Sequence, residues 1–343
     1  MKGAVRVLLP AGAVVAALAV ALALRTGSAP AEVVSAERWL MGTRWVVKAV
    51  PAPGATPEAT ATALAAALDE VARVEAVMSE WRPESPVSAL NAAAGGPAIE
   101  VPAELFALLE RAVDLGRRTD GAFDVTWKGM GRLWDLGAEE FAPPADAEIE
   151  AARQRVDYRL LELADGRARL PRADMAVGLG GIAKGYGVDR AGAVLGERGV
   201  TDFVVDGGGD LLVRGTRGGR PWRVGIRDPR GAPADLLTVV ETTAGAVVTS
   251  GDYERFREVD GVRYHHIIDP RTGRPAPGCQ QVTVVAPSAE TADALATGLF
   301  VLGPSAGLAV VEELAGVEAL IVDAQGRLHP SSGFPAALPA EGR

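Results

Sequence analysis

The chain has 343 residues, of which 48% are hydrophobic and 23% charged, and its formal net charge is −9. This length suffices for one large or two ordinary domains with a packed core. The negative charge argues against nucleic acid as a partner, because phosphate backbones are bound by basic surfaces. One cysteine excludes an internal disulfide and a cysteine-based zinc site, and three histidines leave little for a histidine-rich metal centre. A hard metal held by oxygen atoms stays open.

The N-terminus is typical of an export signal. Lys2 and Arg6 precede a nearly unbroken apolar run over residues 7–24, longer than the ~7–15 residues of a signal-peptide core and close to the ~20 that span a bilayer. Ala29-Pro30-Ala31 offers a cleavage site. We assign residues 1–31 to a cleaved signal peptide or an uncleaved membrane anchor, residues 32–330 to an extracytoplasmic (periplasmic) body, and residues 331–343 to a proline-rich tail.

Apolar residues spaced three or four apart predict helices, and short alternating or β-branched runs predict strands. The first predicted element is a strand over residues 37–50, interrupted by a bulge at Met41-Gly42-Thr43. The predicted helices cover residues 57–79, 102–118, 145–154, 183–198 and 288–302, with a further helix after the last. A strand pair is predicted around residues 158–170, and the other predicted strands lie at 203–205, 211–214, 222–227, 236–242, 245–250, 262–268, 282–286 and 317–322.

Two segments show neither the three- or four-residue spacing of a helix nor the alternation of a strand. Residues 79–96 are polar and interrupted by prolines, and Trp81 within them is either a docking ring for a ligand or a cover for a small satellite core. Residues 119–137 alternate aromatic residues with glycines and aspartates. Irregular segments of this length inside a compact domain are more often functional than not.

The body is organised around the glycine-rich residues 177–214. They predict a glycine turn, a helix, a buried strand, a second glycine turn at residues 207–209 and a returning strand. A helix that begins after a glycine turn directs free N–H groups outward, which suits a phosphate. Packing of a helix on a sheet and an ordinary hairpin explain the two turns equally well, and neither turn matches the dinucleotide fingerprint or the P-loop.

Further along the chain, Asp293 and Thr297 are one helical turn apart, so that a carboxylate and a hydroxyl share one face of a small, apolar helix. In isolation, a structural acid and a hydroxyl bonded back to the helix explain this pair as well as a metal site does. His266 and Asp269 stand beside a Pro-Arg-Thr-Gly turn.

Eight segments, taken in order, resemble the signature of one protein family. They are MGT at Met41, SEWRPESPVSALN at Ser79, DGAFDVT at Asp120, GLGGIAKGYGVD at Gly178, GGDLLVRG at Gly208, TSGDYERF at Thr249, HIIDPRTG at His266 and TADALATGLFVLG at Thr291. One such segment is weak evidence, whereas eight in order are specific. The chain is therefore similar to the ApbE family, the FAD:protein FMN transferases, over roughly residues 39–322.

The resemblance implies a Mg²⁺-dependent enzyme that cleaves FAD, transfers the FMN moiety to a threonine hydroxyl of an acceptor flavoprotein and releases AMP. It implies an α+β body, related to the T-fold, with mixed or antiparallel sheets flanked by helices. The implied metal ligands are the Gly181 carbonyl, Asp293 and Thr297, and the candidate catalytic residues are Asp293 and His266. The implied FAD contacts are Met41, Trp81, Ala122, Phe123, Asp124, Gly178, Lys184 and Ile268.

The chain departs from the family pattern at two positions. Gly178 stands where an aspartate is usual, and Asp206 stands where an asparagine is usual before the second glycine turn. Two other interpretations stay open: a FAD pyrophosphatase that uses water in place of threonine, and a non-catalytic periplasmic flavin-binding protein. For His266, a structural role in ordering the Asp269-Pro270 turn is the alternative to proton transfer.

Overall fold

The computed structural model describes residues 17–18 and 32–338. The predicted signal or anchor therefore lies outside the described residues, except for positions 17 and 18. The helices are α1 (Pro57–Met78), α2 (Pro86–Ala92), α3 (Ala103–Arg118), α4 (Asp146–Arg153), α5 (Ala183–Glu197) and α6 (Ala289–Glu312), with 3₁₀ helices at Val125–Met130 and Tyr158–Leu160. The strands are β1 (Ala17–Leu18), β2 (Val34–Leu40), β3 (Thr43–Ala49), β4 (Ile99–Glu100), β5 (Glu162–Ala164), β6 (Arg167–Arg169), β7 (Phe203–Gly207), β8 (Leu211–Arg214), β9 (Trp222–Arg227), β10 (Leu236–Thr242), β11 (Ala244–Gly251), β12 (Phe256–Val259), β13 (Val262–His265), β14 (Ile268–Asp269), β15 (Arg274–Pro275), β16 (Cys279–Ala286), β17 (Glu318–Asp323) and β18 (Leu328–Pro330).

A nine-stranded sheet forms the centre of the body. Its strand order is β1-β2-β3-β7-β8-β11-β16-β17-β18, and every neighbouring pair in it is antiparallel. Short two- and three-stranded sheets lie outside it. The α+β class is confirmed, and of the mixed or antiparallel sheets expected, the antiparallel arrangement holds for all described strand pairs.

The two faces of the sheet bury different layers. Helices α1, α5 and α6 pack on one face, where Val282 and Val284 of β16 join the main core. On the other face, Val213 and Val247 pack against apolar residues of the β9–β10 hairpin. Within the described residues, α6 alone is long and apolar enough to cross a membrane, and 56% of its most apolar window is buried inside the protein. Here it is a core helix.

Two local expectations were wrong. Residues 37–50 form a hairpin of β2 and β3 instead of one bulged strand, because Met41 and Gly42 both adopt positive φ angles, 48° and 71°, as a two-residue hairpin turn requires. The polar residues 79–96 contain helix α2, which begins at Pro86. Ser85, the preceding residue, caps this helix, because its side chain accepts a hydrogen bond from Ser88 N–H.

Helices α5 and α6 cap each other where they cross. The Asp189 carboxylate of α5 accepts hydrogen bonds from the backbone N–H groups of Ala289 and Glu290, at 2.8 and 2.9 Å, at the start of α6. In return, Asp293 of α6 accepts a 3.0 Å hydrogen bond from the Gly185 N–H at the start of α5. A Cβ on Gly185 would lie only 2.2 Å from the Ala289 carbonyl oxygen. Glycine therefore permits the close crossing that brings Asp293 to the start of α5.

Candidate active site

The crossing of α5 and α6 leaves the Gly181 carbonyl free for other partners. In a regular helical turn, the Gly185 N–H would donate to the Gly181 carbonyl, but here it donates to Asp293 Oδ2. Between residues 32 and 338, no backbone N–H donates to the Gly181 carbonyl. The first glycine turn thus ends in an unsatisfied acceptor beside a buried carboxylate.

Thr297 lies against the same turn. Its Oγ1 is 3.3 Å from the position that a Cβ on Gly181 would occupy, and the ring of Phe123 is equally close to that position. The hydroxyl also lies 3.5 Å from Ser250 Oγ, on β11. Among the described residues, no hydrogen bond runs from Thr297 Oγ1 back to the Asp293 carbonyl, so this hydroxyl is not consumed by its own helix. The structure therefore brings the three predicted metal ligands together.

Lys184 lies between two buried carboxylates. Its ammonium forms an ion pair with Asp210 and lies 3.8 Å from Asp293 Oδ1. Burial alone would lower the pKa of Lys184, but Asp210 and Asp293 outweigh burial and raise it. Burial raises the pKa of Asp210 to about 7, with Asp293 adding to the rise, and burial likewise raises the pKa of Asp293. One ammonium does not balance two carboxylates, so the cluster favours a proton or a further cation.

These donors fit magnesium better than a softer metal. The described part of the chain contains no group of three or more His, Cys, Asp or Glu side chains that could hold a metal ion. A metal at α5 and α6 would depend on one carboxylate, one hydroxyl and one carbonyl. Mg²⁺ prefers such hard oxygen donors and is usually held by one or two carboxylates together with substrate phosphates.

The second glycine turn presents Asp210 to Lys184. Gly208 and Gly209 have φ angles of 70° and 100°, and the Gly209 N–H donates to Asp206 Oδ1 at 2.9 Å. Asp206, one of the two departures from the family pattern, therefore stabilises this turn, and its charge contributes to the raised pKa of Asp210. Asp210 was not singled out from the sequence, although it stands in the GGDLLVRG segment.

The glycine at position 178, the other departure from the family pattern, is explained by the space available to a side chain there. A Cβ at this position would lie 2.8 Å from the indole of Trp127, and the Trp127 Nε1–H donates to the Gly178 carbonyl at 2.9 Å. The Gly178 N–H in turn donates to the Val125 carbonyl at 2.8 Å. In this chain the indole fills the space that a side chain at position 178 would need.

Trp81 is linked to the first glycine turn through Lys128 and Glu80. Its side chain is 75% exposed, and the Lys128 ammonium lies 3.3 Å from the centre of its ring. Glu80 is buried, lies 3.8 Å from the same ammonium and accepts a 3.0 Å hydrogen bond from the Leu179 N–H. Trp81 thus covers no satellite core, and its open face is available to a ligand.

Residues 122–124 lie only partly beside the first glycine turn. Phe123 lies beside Gly181, and Ala122 is buried. The Asp124 carboxylate accepts hydrogen bonds from Thr126 N–H, Thr126 Oγ1–H and Tyr158 N–H, at 2.7, 2.6 and 2.9 Å. Because these donors occupy the carboxylate, a ligand contact at Asp124 would have to use its backbone.

Three predicted residues lie at the edges of the cluster. The Met41 sulfur lies 3.5 Å from the position of a Cβ on Gly187, in α5, and Ile268 is half-buried in β14. His266 is solvent-exposed, and its Nδ1 is 3.4 Å from the Arg255 carbonyl. Although the residue is exposed overall, desolvation of its ring lowers the pKa of His266 to about 4, and the charges of His265 and Lys184 add to this shift. His266 therefore lies within electrostatic range of the cluster without a hydrogen bond to its described oxygen atoms.

Comparison with known proteins gives one consistent family. The model of the ApbE family matches residues 41–321. A FAD:protein FMN transferase of Treponema pallidum is 39% identical over 290 residues, which cover 78% of this chain and 80% of that protein. One of Vibrio cholerae is 36% identical over 301 residues, covering 86% and 89%. Among solved structures, the ApbE protein of Thermotoga maritima has a TM-score of 0.79 at 34% identity, covering 88% of this chain and 97% of that one. The flavin transferase ApbE from Vibrio cholerae has the same TM-score and identity, covering 89% and 99%.

Proposed function

The chain belongs to the ApbE family, and from this premise we propose that it is a FAD:protein FMN transferase. It moves the FMN moiety of FAD onto an acceptor flavoprotein and releases AMP. The observation that carries this proposal is the cluster at the α5–α6 crossing, where a buried carboxylate, a hydroxyl and a free carbonyl meet beside a lysine. A protein that only bound flavin would need no such cluster.

Asp293 Oδ1, Thr297 Oγ1 and the Gly181 carbonyl would hold Mg²⁺ in this proposal. The excess negative charge around Lys184 and the unsatisfied carbonyl support the assignment. When bound, the ion would neutralise charge that develops on the phosphoryl oxygens.

The chain's own residues account for binding and proton transfer. Lys184, at the start of α5, provides a positive charge for the pyrophosphate, and the N-terminus of that helix favours an anion. His266 is neutral near pH 7, because its pKa lies at about 4. If its Nδ1–H donates to the Arg255 carbonyl, Nε2 carries the lone pair. We assign Nε2 to accept the proton of the acceptor hydroxyl as its oxygen bonds to the FMN phosphorus and the bond to AMP breaks.

The acceptor group and the location of the protein complete the proposal. We assign the acceptor hydroxyl to a threonine and the site of action to the extracytoplasmic side of the membrane. The latter rests on the apolar residues 7–24 that follow Lys2 and Arg6.

The proposal is tested by incubating the protein with FAD, Mg²⁺ and a threonine-bearing flavin-acceptor domain, followed by intact-mass analysis of the acceptor. We expect a gain of one FMN group that disappears in Asp293→Asn. Asp189→Asn is the matched control, because Asp189 caps the other helix of the same crossing and lies outside the proposed metal site. Free FMN and AMP with an unmodified acceptor would show a pyrophosphatase, and intact bound FAD would show a flavin-binding protein.

A further inference from the structure

Two tryptophans of this protein are largely exposed, and only one of them has a cation on its ring. Trp39, in β2, is 72% exposed, and Trp81 is 75% exposed. The Lys128 ammonium lies 3.3 Å from the centre of the Trp81 ring, a distance at which the ring quadrupole attracts a cation. One face of Trp81 is thereby covered, and the opposite face is open to solvent.

Lys128 is itself fixed by the glycine turn. Its ammonium is 3.8 Å from Glu80 Oε1, and Glu80 Oε2 accepts a 3.0 Å hydrogen bond from the Leu179 N–H. The 3₁₀ helix that carries Lys128 is joined to the same turn by two hydrogen bonds, from the Gly178 N–H to Val125 and from the Trp127 indole to Gly178. The exposed indole is therefore linked, through Lys128 and Glu80, to the backbone beside the α5–α6 cluster.

We propose that Lys128 is a positioning residue for FAD, which holds the Trp81 indole so that its open face is preformed as a stacking surface for one aromatic ring of FAD. The inference rests on the proposed function, in which Trp81 contacts FAD. A ring fixed before binding loses little conformational freedom when a ligand stacks on it, so preorganisation improves affinity. Lys128 does not touch the reacting groups in this proposal and acts through Trp81 alone.

The test compares FAD dissociation constants by isothermal titration for Lys128→Met, Lys128→Arg and Trp81→Ala. Trp39→Ala and Lys48→Met are matched controls, since Trp39 is equally exposed and Lys48 is an exposed lysine of β3. We expect Trp81→Ala to weaken binding about tenfold and Lys128→Met about fivefold. Lys128→Arg should restore most of the affinity, because arginine keeps the cation on the ring. In steady-state assays, the KM for FAD should rise more than kcat falls.

A double-mutant cycle separates this role from general support of the fold. In the Trp81→Ala background, Lys128→Met should have no further effect on FAD affinity, whereas a merely structural lysine would still lower it. Fluorotryptophan NMR of the ligand-free protein provides a second measurement. Lys128→Met should shift and narrow the Trp81 resonance and leave that of Trp39 unchanged, and an unmoved Trp81 resonance overturns the proposal.

Titrations with FMN and with AMP identify the ring that stacks. Loss of affinity for either one in Lys128→Met supports the proposal, and unchanged affinity for both overturns it. If Trp81→Ala binds FAD normally, the assignment of Trp81 to the FAD site fails and the inference fails with it. If Trp81→Ala weakens binding and Lys128→Met does not, the inference alone fails and the proposed function stands.

Discussion

Replacing Gly185 with alanine tests the crossing on which the candidate active site depends. The added Cβ would lie 2.2 Å from the Ala289 oxygen, 2.6 Å from the Ala289 carbonyl carbon and 2.8 Å from Asp293 Cβ, where ordinary contacts are 3.4–4 Å. Two of these atoms are backbone, so the helices themselves must separate by about 1 Å. Overpacking of this kind costs ~1–3 kcal/mol.

The separation also stretches the 3.0 Å hydrogen bond from Gly185 to Asp293, and a hydrogen bond to a charged group contributes ~1.5–3 kcal/mol. Alanine recovers about 1 kcal/mol, because it is the better helix former. The terms leave a net loss of about 1.5–5 kcal/mol in the free energy of unfolding. FMN transfer should fall as well, because Asp293 and Gly181 move apart.

Urea denaturation followed by circular dichroism measures the loss. Gly196→Ala is the control, since Gly196 lies in the same helix and a Cβ there would meet nothing within 4 Å. We expect this control to be as stable as the wild type or more so. If Gly185→Ala unfolds at the same urea concentration as Gly196→Ala, the close crossing of α5 and α6 is refuted.

Three further predictions concern charge and packing at the site. The folded state lowers the pKa of His266 from 6.5 to about 4 and thus binds fewer protons than the unfolded chain. The free energy of unfolding should therefore fall as pH drops from about 6.5 toward 4. Urea midpoints measured over this pH range should change less in His266→Gln than in the wild type. An equal pH dependence in the two proteins contradicts this prediction. Gly178→Asp should lower the free energy of unfolding by ~1–3 kcal/mol, because the new side chain overlaps Trp127. In a double-mutant cycle measured by thermal unfolding, this loss should disappear in the Trp127→Ala background. Additive losses from the two substitutions refute the steric account. Asp210→Asn removes the buried carboxylate that pairs with Lys184 and lowers the negative charge around the proposed metal site. We expect a loss of stability, because a buried ion pair loses one partner, and about tenfold weaker Mg²⁺ binding by calorimetry. Unchanged Mg²⁺ affinity argues against the charge excess.

Helices with a long apolar stripe were predictable from the sequence. α1, α3 and α5 lie where the three- and four-residue spacing places them, because periodicity over several turns is a strong signal. The helix predicted at 288–302 and the one after it are the two parts of α6, which is interrupted at Gly303, where φ is 77° and ψ is 177°. The β2–β3 hairpin was missed because Met41 at positive φ is an uncommon turn residue and alternation continues on both sides of it. Helix α2 was missed because seven residues are too few to show a period.

The site was predictable only where its residues are neighbours in sequence. Asp293 and Thr297 stand one turn apart, so their spacing alone indicates a shared face. Asp210 lies 26 residues from its partner Lys184, and Lys128 belongs to a different segment from Trp81. No local pattern records such pairs, because tertiary packing brings them together.

The glycines around position 181 had two competing explanations, phosphate binding and helix packing, and the structure separates them residue by residue. Gly185 is required by the backbone of α6, and Gly178 leaves room for Trp127. Gly180 has no such reason, since a Cβ there would meet nothing within 4 Å and its φ angle is not positive. Packing therefore accounts for the glycines that set the helix crossing. The crossing in turn diverts the Gly185 N–H to Asp293 and frees the Gly181 carbonyl. The contact that stabilises the two helices and the contact that exposes the proposed metal ligand are the same hydrogen bond, so the fold and this site form together.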